Sequence, residues 1–154
     1  MKIAIGSDHA GFELKEEIRT ELAAGGHEVC DWGARGTESV DYPDFAKKVC
    51  RAVVSKQSEV GLLVCGTGLG MAIAANKVPG IRAVACSDTF SARMGREHND
   101  ANVLCLGSRV VGSGLAMDIV RAFIGAKFQG GRHGRRVQKI LDLESEFSGG
   151  MKDV

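Results

Sequence analysis

The most constraining feature of this 154-residue chain is the run Val60-Gly61-Leu62-Leu63-Val64-Cys65, which carries no polar alternation. A strand that is apolar on both faces must be covered on both faces, which is the signature of a parallel sheet. Similar short runs recur at Lys2–Ser7, His27–Trp32, Ile81–Cys86 and Val103–Leu106. Longer amphipathic segments separate them. Alternation of this kind requires crossover helices on both sides of the sheet. It predicts a three-layer α/β/α, Rossmann-like domain with about five parallel strands and a C-terminal helix.

The helical stripes can be read individually. Gly11–Ala24 places Leu14, Ile18 and Leu22 on one face, and Gly25-Gly26 stops it. Asp41-Tyr42-Pro43 opens a second helix with Phe45, Val49 and Val53 as its stripe. Leu115, Ile119, Ala122, Phe123 and Ala126 form another stripe. A last helix is expected from near His133 to Phe147, using Val137, Ile140 and Leu141. No linker or internal repeat divides the chain, so residues 1–147 read as one domain and 148–154 as a loose tail.

Composition narrows the function. Lys plus Arg is 20 against 19 Asp plus Glu, so the overall basic excess typical of nucleic-acid binders is missing. No apolar run reaches the roughly 18 residues of a membrane span, and Met1–Gly6 does not read as a signal peptide. Five cysteines, with no CxxC pair, disfavour a disulfide framework and suggest a reducing, cytoplasmic setting. No Cys or His pair has metal-ligand spacing, so no metal is expected. Glycine is abundant, 21 of 154, roughly twice its usual share.

In parallel sheets the ligand sits at the carboxyl ends of the strands. There the sequence places Ser7-Asp8-His9-Ala10-Gly11, Cys65-Gly66-Thr67-Gly68-Leu69-Gly70, Ser87-Asp88 and Gly107-Ser108-Arg109. His98-Asn99, at the end of the helix after Asp88, is expected at this same edge. The Gly66–Gly70 loop opens a helix, and its N–H groups and the helix dipole suit a phosphate or an oxyanion. Glycines in a tight strand-to-helix turn also occur for steric reasons alone. The spacing is GxGxG rather than the dinucleotide GxGxxG, although Asp88 lies about 20 residues on, where a ribose-binding acid is found in nucleotide sites.

Most free cysteines are small buried hydrophobes, and Cys30, Cys50, Cys86 and Cys105 are read that way. Cys65 differs, because it ends a core strand beside a helix start that favours the thiolate. As a thiolate it is a nucleophile or a base. The phosphatase arrangement fails, since Met71 stands where an arginine would be needed. Arg132, His133, Arg135, Arg136 and Lys139 follow Gly130-Gly131. The ordinary reading is a solvated helix face. Cations at a helix N-terminus oppose the dipole, however, and an anionic ligand would remove that conflict. His9 and His98 are either capping or core residues, or groups that donate and accept protons near neutral pH.

A thiol base, an anion-holding loop, a histidine, a hydroxyl and arginines suit proton transfer beside a carbonyl on a phosphorylated small molecule. Aldose–ketose isomerisation is such a reaction. It needs no redox or metal cofactor.

Ser7–Phe12, Asp41-Tyr42-Pro43, Cys65–Gly70, Ala74–Lys77, Gly80–Ala83, His98–Val103, Gly107–Arg109 and Gly130–His133 occur together and in order. With these motifs the chain resembles the type-B ribose-5-phosphate isomerases, a family shared with galactose- and allose-6-phosphate isomerases. The resemblance runs from residue 1 to about residue 145. It implies that Cys65 is the base moving a proton between C1 and C2, and that Thr67 shuttles protons between the oxygens. Gly66, Thr67, Gly68, Leu69 and Gly70 match the loop that holds the enediolate. His98 matches the acid/base that opens the furanose ring, and Asp8 a carboxylate on the sugar. His9, Arg132 and Arg136 match phosphate ligands, and Asn99 and Arg109 further substrate contacts. One subgroup of the family has Gly in place of Cys65 and Glu in place of Met71, so this chain falls with the thiol-base subgroup. The resemblance implies a site built across a homodimer, with the His98–Asn99 segment and the C-terminal arginines not all from one chain, the dimer also occurring as a dimer of dimers, and no cofactor. Neither a nucleic acid nor a membrane is implied as a partner.

Two alternatives stay open at this level. The substrate could be a six-carbon sugar phosphate, allose or galactose 6-phosphate. The domain could instead be a nucleotide-binding regulatory module. A phosphorelay receiver would carry an aspartate where Cys65 stands, and a binding module does not need Cys65 and His98 together.

Overall fold

All six residues of the central strand Val60–Cys65 are buried, so it must have a strand on each side and helices above and below. The computed structural model, which describes residues 1–148, shows how that is met. The elements are β1 (Lys2–Ser7), α1 (Phe12–Ala24), β2 (Glu28–Asp31), α2 (Tyr42–Val54), β3 (Val60–Cys65), α3 (Leu69–Ala75), β4 (Ala83–Ala85), α4 (Thr89–Asn99), β5 (Val103–Gly107), α5 (Ser113–Gly125) and α6 (Arg132–Ser148). The strands form one sheet in the order β2-β1-β3-β5-β4. Every pairing is parallel.

Alternate residues of each strand feed two cores. On one face Ile3, Ile5, Leu62 and Leu104 pack with Leu14 and Ile18 of α1, Ala92 of α4 and Ile119 and Phe123 of α5. On the other, Ala4, Leu63, Val103 and Cys105 pack with Val49 and Val53 of α2 and Met71 and Ala75 of α3. Each large side chain buried this way contributes about 1.5–3 kcal/mol. Gly11, at the start of α1, lies so close to β3 that a Cβ would come within 2.4 Å of Val64 O, which fixes glycine there. The buried Lys15 reaches from α1 to Asp31 Oδ2 at 2.6 Å and Ala34 O at 3.0 Å, anchoring the segment that follows β2.

The direction of the connections locates the binding crevice. The chain leaves β1 for β2 on one side and leaves β3 for β4 on the other. The carboxyl ends of β1 and β3 therefore flank the switch point, where open α/β sheets bind ligands.

Several expectations need correction. The run Ile81–Cys86 yields a strand of only three residues. Ile81 is buried with α3 instead, and the side-chain amide of Asn76 pairs with the edge backbone, accepting from Ala83 N at 2.8 Å and donating to Ala83 O at 2.9 Å. Cys30 is exposed on the edge strand β2 rather than buried, and Cys86 is half-buried. Ala126 lies beyond α5, and Leu115 is exposed. In α6 only Val137 of the expected stripe is buried. Ile140 and, outside the stripe, Leu143 and Phe147 are exposed. Ser148 is the last residue of that helix, and the rest of the expected tail, 149–154, lies outside the described residues.

Candidate active site

Nine of the thirteen expected residues, Asp8, His9, Cys65–Gly70 and Arg109, lie at the carboxyl ends of β1, β3 and β5. Cys65 is 5% exposed, and its Sγ accepts the N–H of Gly68 at 3.1 Å. That N–H aims at the sulfur from the turn that follows β3. Gly68 adopts a φ of +79°, in the left-handed region that glycine tolerates, and a Cβ there would press on Leu106 at 3.0 Å. The turn therefore needs glycine, and it is this turn that brings the amide to the sulfur. Thr67 is exposed, with Oγ1 accepting from Leu69 N at 3.3 Å. The helix behind the loop has only seven residues, so the anion cradle rests on loop amides more than on a helix dipole.

The surrounding loops are interlocked. Asp8 is buried and accepts from Gly11 N at 3.0 Å through Oδ1, leaving Oδ2 for other partners. Ser108 N donates to Cys65 O at 2.8 Å and Arg109 N to Gly66 O at 3.0 Å. Ser108 Oγ donates to Ala10 O at 2.8 Å. The Arg109 guanidinium lies on the loop, since a Cβ at Gly66 would meet its Nη1 at 3.2 Å. His9 Nδ1 accepts from Val40 N at 3.2 Å. This leaves Nε2 to carry the imidazole proton outward.

The other four, His98, Asn99, Arg132 and Arg136, stand elsewhere. Because β4 and β5 are parallel neighbours, α4 must return the chain to the amino edge of the sheet. His98 and Asn99 end α4. A few residues on, Asn102 O accepts from Gly61 N at the start of β3. Cys65 pairs with Gly107 at the far end of β5. Strands of this length separate the two edges by roughly 17 Å at about 3.3 Å per residue. The expectation that His98 shares an edge with Cys65 is therefore wrong within one chain.

The basic cluster is on the side of His98. The segment before α6 is tied to the end of α4 by Gln129 N donating to Glu97 O at 3.0 Å. The His98 and His133 rings stack with centroids 4.1 Å apart and planes 4° from parallel. Arg132 and Arg136 lie in the opening turns of α6, whose first turn holds no acidic residue. Desolvation holds the His133 imidazole below its ordinary pKa, and His98, Arg132 and Arg136 push it the same way. A cationic helix start with no acidic partner is poised for an anion. Among the described residues no cluster of His, Cys, Asp and Glu could hold a metal ion.

Sequence reasoning missed two contacts. The Tyr42 ring covers Gly70, where a Cβ would approach its Cζ to 2.8 Å. The Asp41-Tyr42-Pro43 motif marks this place but gives no hint that the ring faces the loop. His133 was legible as part of a basic run, but its ring stack was not.

Known proteins are similar to nearly the whole chain. A family model described as Ribose/Galactose Isomerase matches residues 3–140. Ribose-5-phosphate isomerase B of Escherichia coli is 52% identical over 143 residues, 93% of this chain and 96% of that protein. A D-erythrulose-4-phosphate isomerase of Pectobacterium atrosepticum is 44% identical over 141 residues, 91% of this chain and 93% of that protein. The solved structure of ribose-5-phosphate isomerase B from Clostridium thermocellum superposes with a TM-score of 0.94 at 58% identity, covering 96% of this chain and 99% of that one. The chain belongs to the ribose/galactose isomerase family. Fold and sequence together make it a sugar-phosphate isomerase of the type-B ribose-5-phosphate isomerase kind. None of the described helices is long and apolar enough to cross a membrane.

Proposed function

We propose that this chain interconverts ribose 5-phosphate and ribulose 5-phosphate through an enediolate, with Cys65 as base and His98 opening the furanose ring. The observation that carries the reading is the Gly68 N–H donating to Cys65 Sγ at 3.1 Å, in a glycine-rich turn at the switch point. The Cys65 thiolate takes the C2 proton of the open-chain aldose, and the electron pair moves onto the C1 carbonyl oxygen. The Gly66–Gly70 amides hold the developing charge. Thr67 Oγ1 relays a proton between the two oxygens, and Cys65 returns its proton to C1. Asp8 and Asn99 hold sugar hydroxyls, Arg109 adds a further contact, and His9, Arg132 and Arg136 take the phosphate. The shift redistributes protons without net oxidation, so the side chains suffice.

The same reading makes the enzyme a homodimer, or a dimer of dimers. Cys65 and His98 lie at opposite edges of one sheet, so one copy's loop must meet the other copy's α4–α6 corner. Uncovered apolar residues on α3 (Leu69, Ile73) and α6 (Ile140, Leu143, Phe147) supply the surface for that contact. A base that must remain a reduced thiol places the enzyme in the cytoplasm.

The test is Cys65→Ala, assayed on ribose 5-phosphate with circular dichroism as a folding control. Turnover should fall by about 10²–10⁴ or more with an unchanged spectrum, and near-normal turnover overturns the base assignment. The same preparation should be assayed on ribose, allose, galactose and erythrulose phosphates. Ribose 5-phosphate should give the highest kcat/KM, and a six- or four-carbon leader reassigns the substrate.

A further inference from the structure

We propose that Asp100, clamped by Arg82 and Arg96, is a positioning residue for ring opening. It fixes the end of α4 from which His98 and Asn99 project. The proposal rests on the reading of His98 given above. Asp100 follows Asn99 directly and has φ 47° and ψ 42°, the left-handed region. A residue with a Cβ is disfavoured there, and glycine usually takes the place after a helix. Only Lys56 shares a positive φ among the described non-glycine residues. An aspartate in this position needs a reason, and its partners supply one.

Arg82 grips Asp100 twice, with Nε donating to its backbone O at 2.8 Å and Nη2 to Oδ2 at 2.9 Å. Arg96 approaches from α4, with Nη1 at 3.7 Å from Oδ1 and donating to Ala101 O at 2.7 Å. Both arginine side chains are largely buried, at 17% exposure. Arg82 is itself held, its N–H donating to Asn102 Oδ1 at 2.8 Å, while Asn102 Nδ2 donates to Gly80 O at 2.8 Å. The clamp thus joins the approach to β4, the last turn of α4 and the start of β5 through one carboxylate.

Glycine would make the same turn and keep the bond to its backbone O, but it would lose the Arg82 and Arg96 contacts to the carboxylate. What the carboxylate adds is rigidity where helix ends ordinarily fray. The flat stack of His98 on His133 guides the imidazole but does not fix the backbone beneath it. A small displacement of an acid/base costs rate steeply. The clamp also lies apart from the carboxyl-edge loops, so its loss should leave the Cys65 step intact.

The test compares Asp100→Gly, which keeps the left-handed turn and loses the carboxylate, with wild type and His98→Asn. Each is assayed on ribose 5-phosphate and on 4-deoxyribose 5-phosphate, which lacks the hydroxyl that closes the furanose. The readout is the ratio of the two kcat/KM values. A smaller folded fraction lowers both values equally and leaves the ratio alone. Asp100→Gly should lower the ratio by about tenfold, and Arg82→Lys, which loses the two-point grip, should lower it in the same direction. If His98→Asn lowers the ratio while Asp100→Gly and Arg82→Lys do not, the clamp proposal is overturned and the ring-opening role stands. An unchanged ratio in His98→Asn overturns the ring-opening role, and the clamp proposal with it.

Discussion

The two edges of the sheet carry polar groups built in different ways. At the carboxyl edge the work is done by backbone: the Gly68 amide on Cys65 Sγ, and loops tied through Ser108 and Arg109 main-chain bonds. At the amino edge it is done by long side chains: Arg132 and Arg136 at the start of α6, the stacked imidazoles, and the Arg82–Asp100 grip. Backbone amides in a closed turn have almost no freedom left to lose, which suits charge that appears only in a transition state. Arginines and histidines adapt to a ligand already charged before reaction, which suits a phosphate. The contrast teaches that an oxyanion cradle is specified by glycines and a phosphate site by cations, and that one chain can hold the two apart.

The largest expected effect tests that separation. Cys65→Ala and His98→Asn chains, each strongly impaired on ribose 5-phosphate, should regain activity when co-refolded. With random pairing half the dimers are mixed and each has one intact site of its two, so about a quarter of wild-type activity should return. No recovery, with mixed pairs verified by mass spectrometry, would place both residues in one chain's site and end the two-edge picture.

A smaller effect tests the division of labour. Arg132→Ala should raise KM for ribose 5-phosphate by about ten- to a hundredfold, the worth of a charge-assisted bond. Its kcat should change far less. A loss confined to kcat would move Arg132 from ground-state phosphate binding to the chemical step.

The smallest effect concerns pH. His133 is held below the ordinary imidazole pKa, first by desolvation and then by His98, Arg132 and Arg136. The unfolded chain therefore takes up this proton before the folded one does. Above the ordinary value near 6.5 the group is neutral in both states and the effect vanishes. Below it, stability falls with pH until the folded-state value is passed. Urea midpoints measured at pH 7.5 and 5.5 without substrate should fall more for wild type than for His133→Phe. Equal falls would show that the corner tolerates an imidazolium.

Much of this could be read from the chain itself, for definite reasons. Val60–Cys65 announces a doubly covered strand because it is a short apolar run with no polar alternation, and all six residues are buried. The arginines at 132 and 136 were legible because they violate the helix-dipole rule. His98 was misplaced because linear order was read as spatial order, when a crossover helix must end at the opposite edge from where it begins. The exposed face of α6 was hidden for another reason. Ile140 looks like core in the sequence, and only the packing of α6 along α4 shows which side is left uncovered. The Asp100 turn gave no signal, since its conformation depends on Arg82, 18 residues earlier.

The two sheet margins have a consequence for how copies of this chain stick to one another. Unpaired strand edges invite cross-molecular pairing and aggregation. Here one margin is a strand of four residues bearing Glu28 and Asp31. The other has three residues, and the Asn76 amide occupies both bonding groups of Ala83. Neither offers a stranger's backbone a long template, so growth of the sheet from molecule to molecule is suppressed at both ends. Cohesion between copies is left to helix faces, where side-chain shape selects the partner.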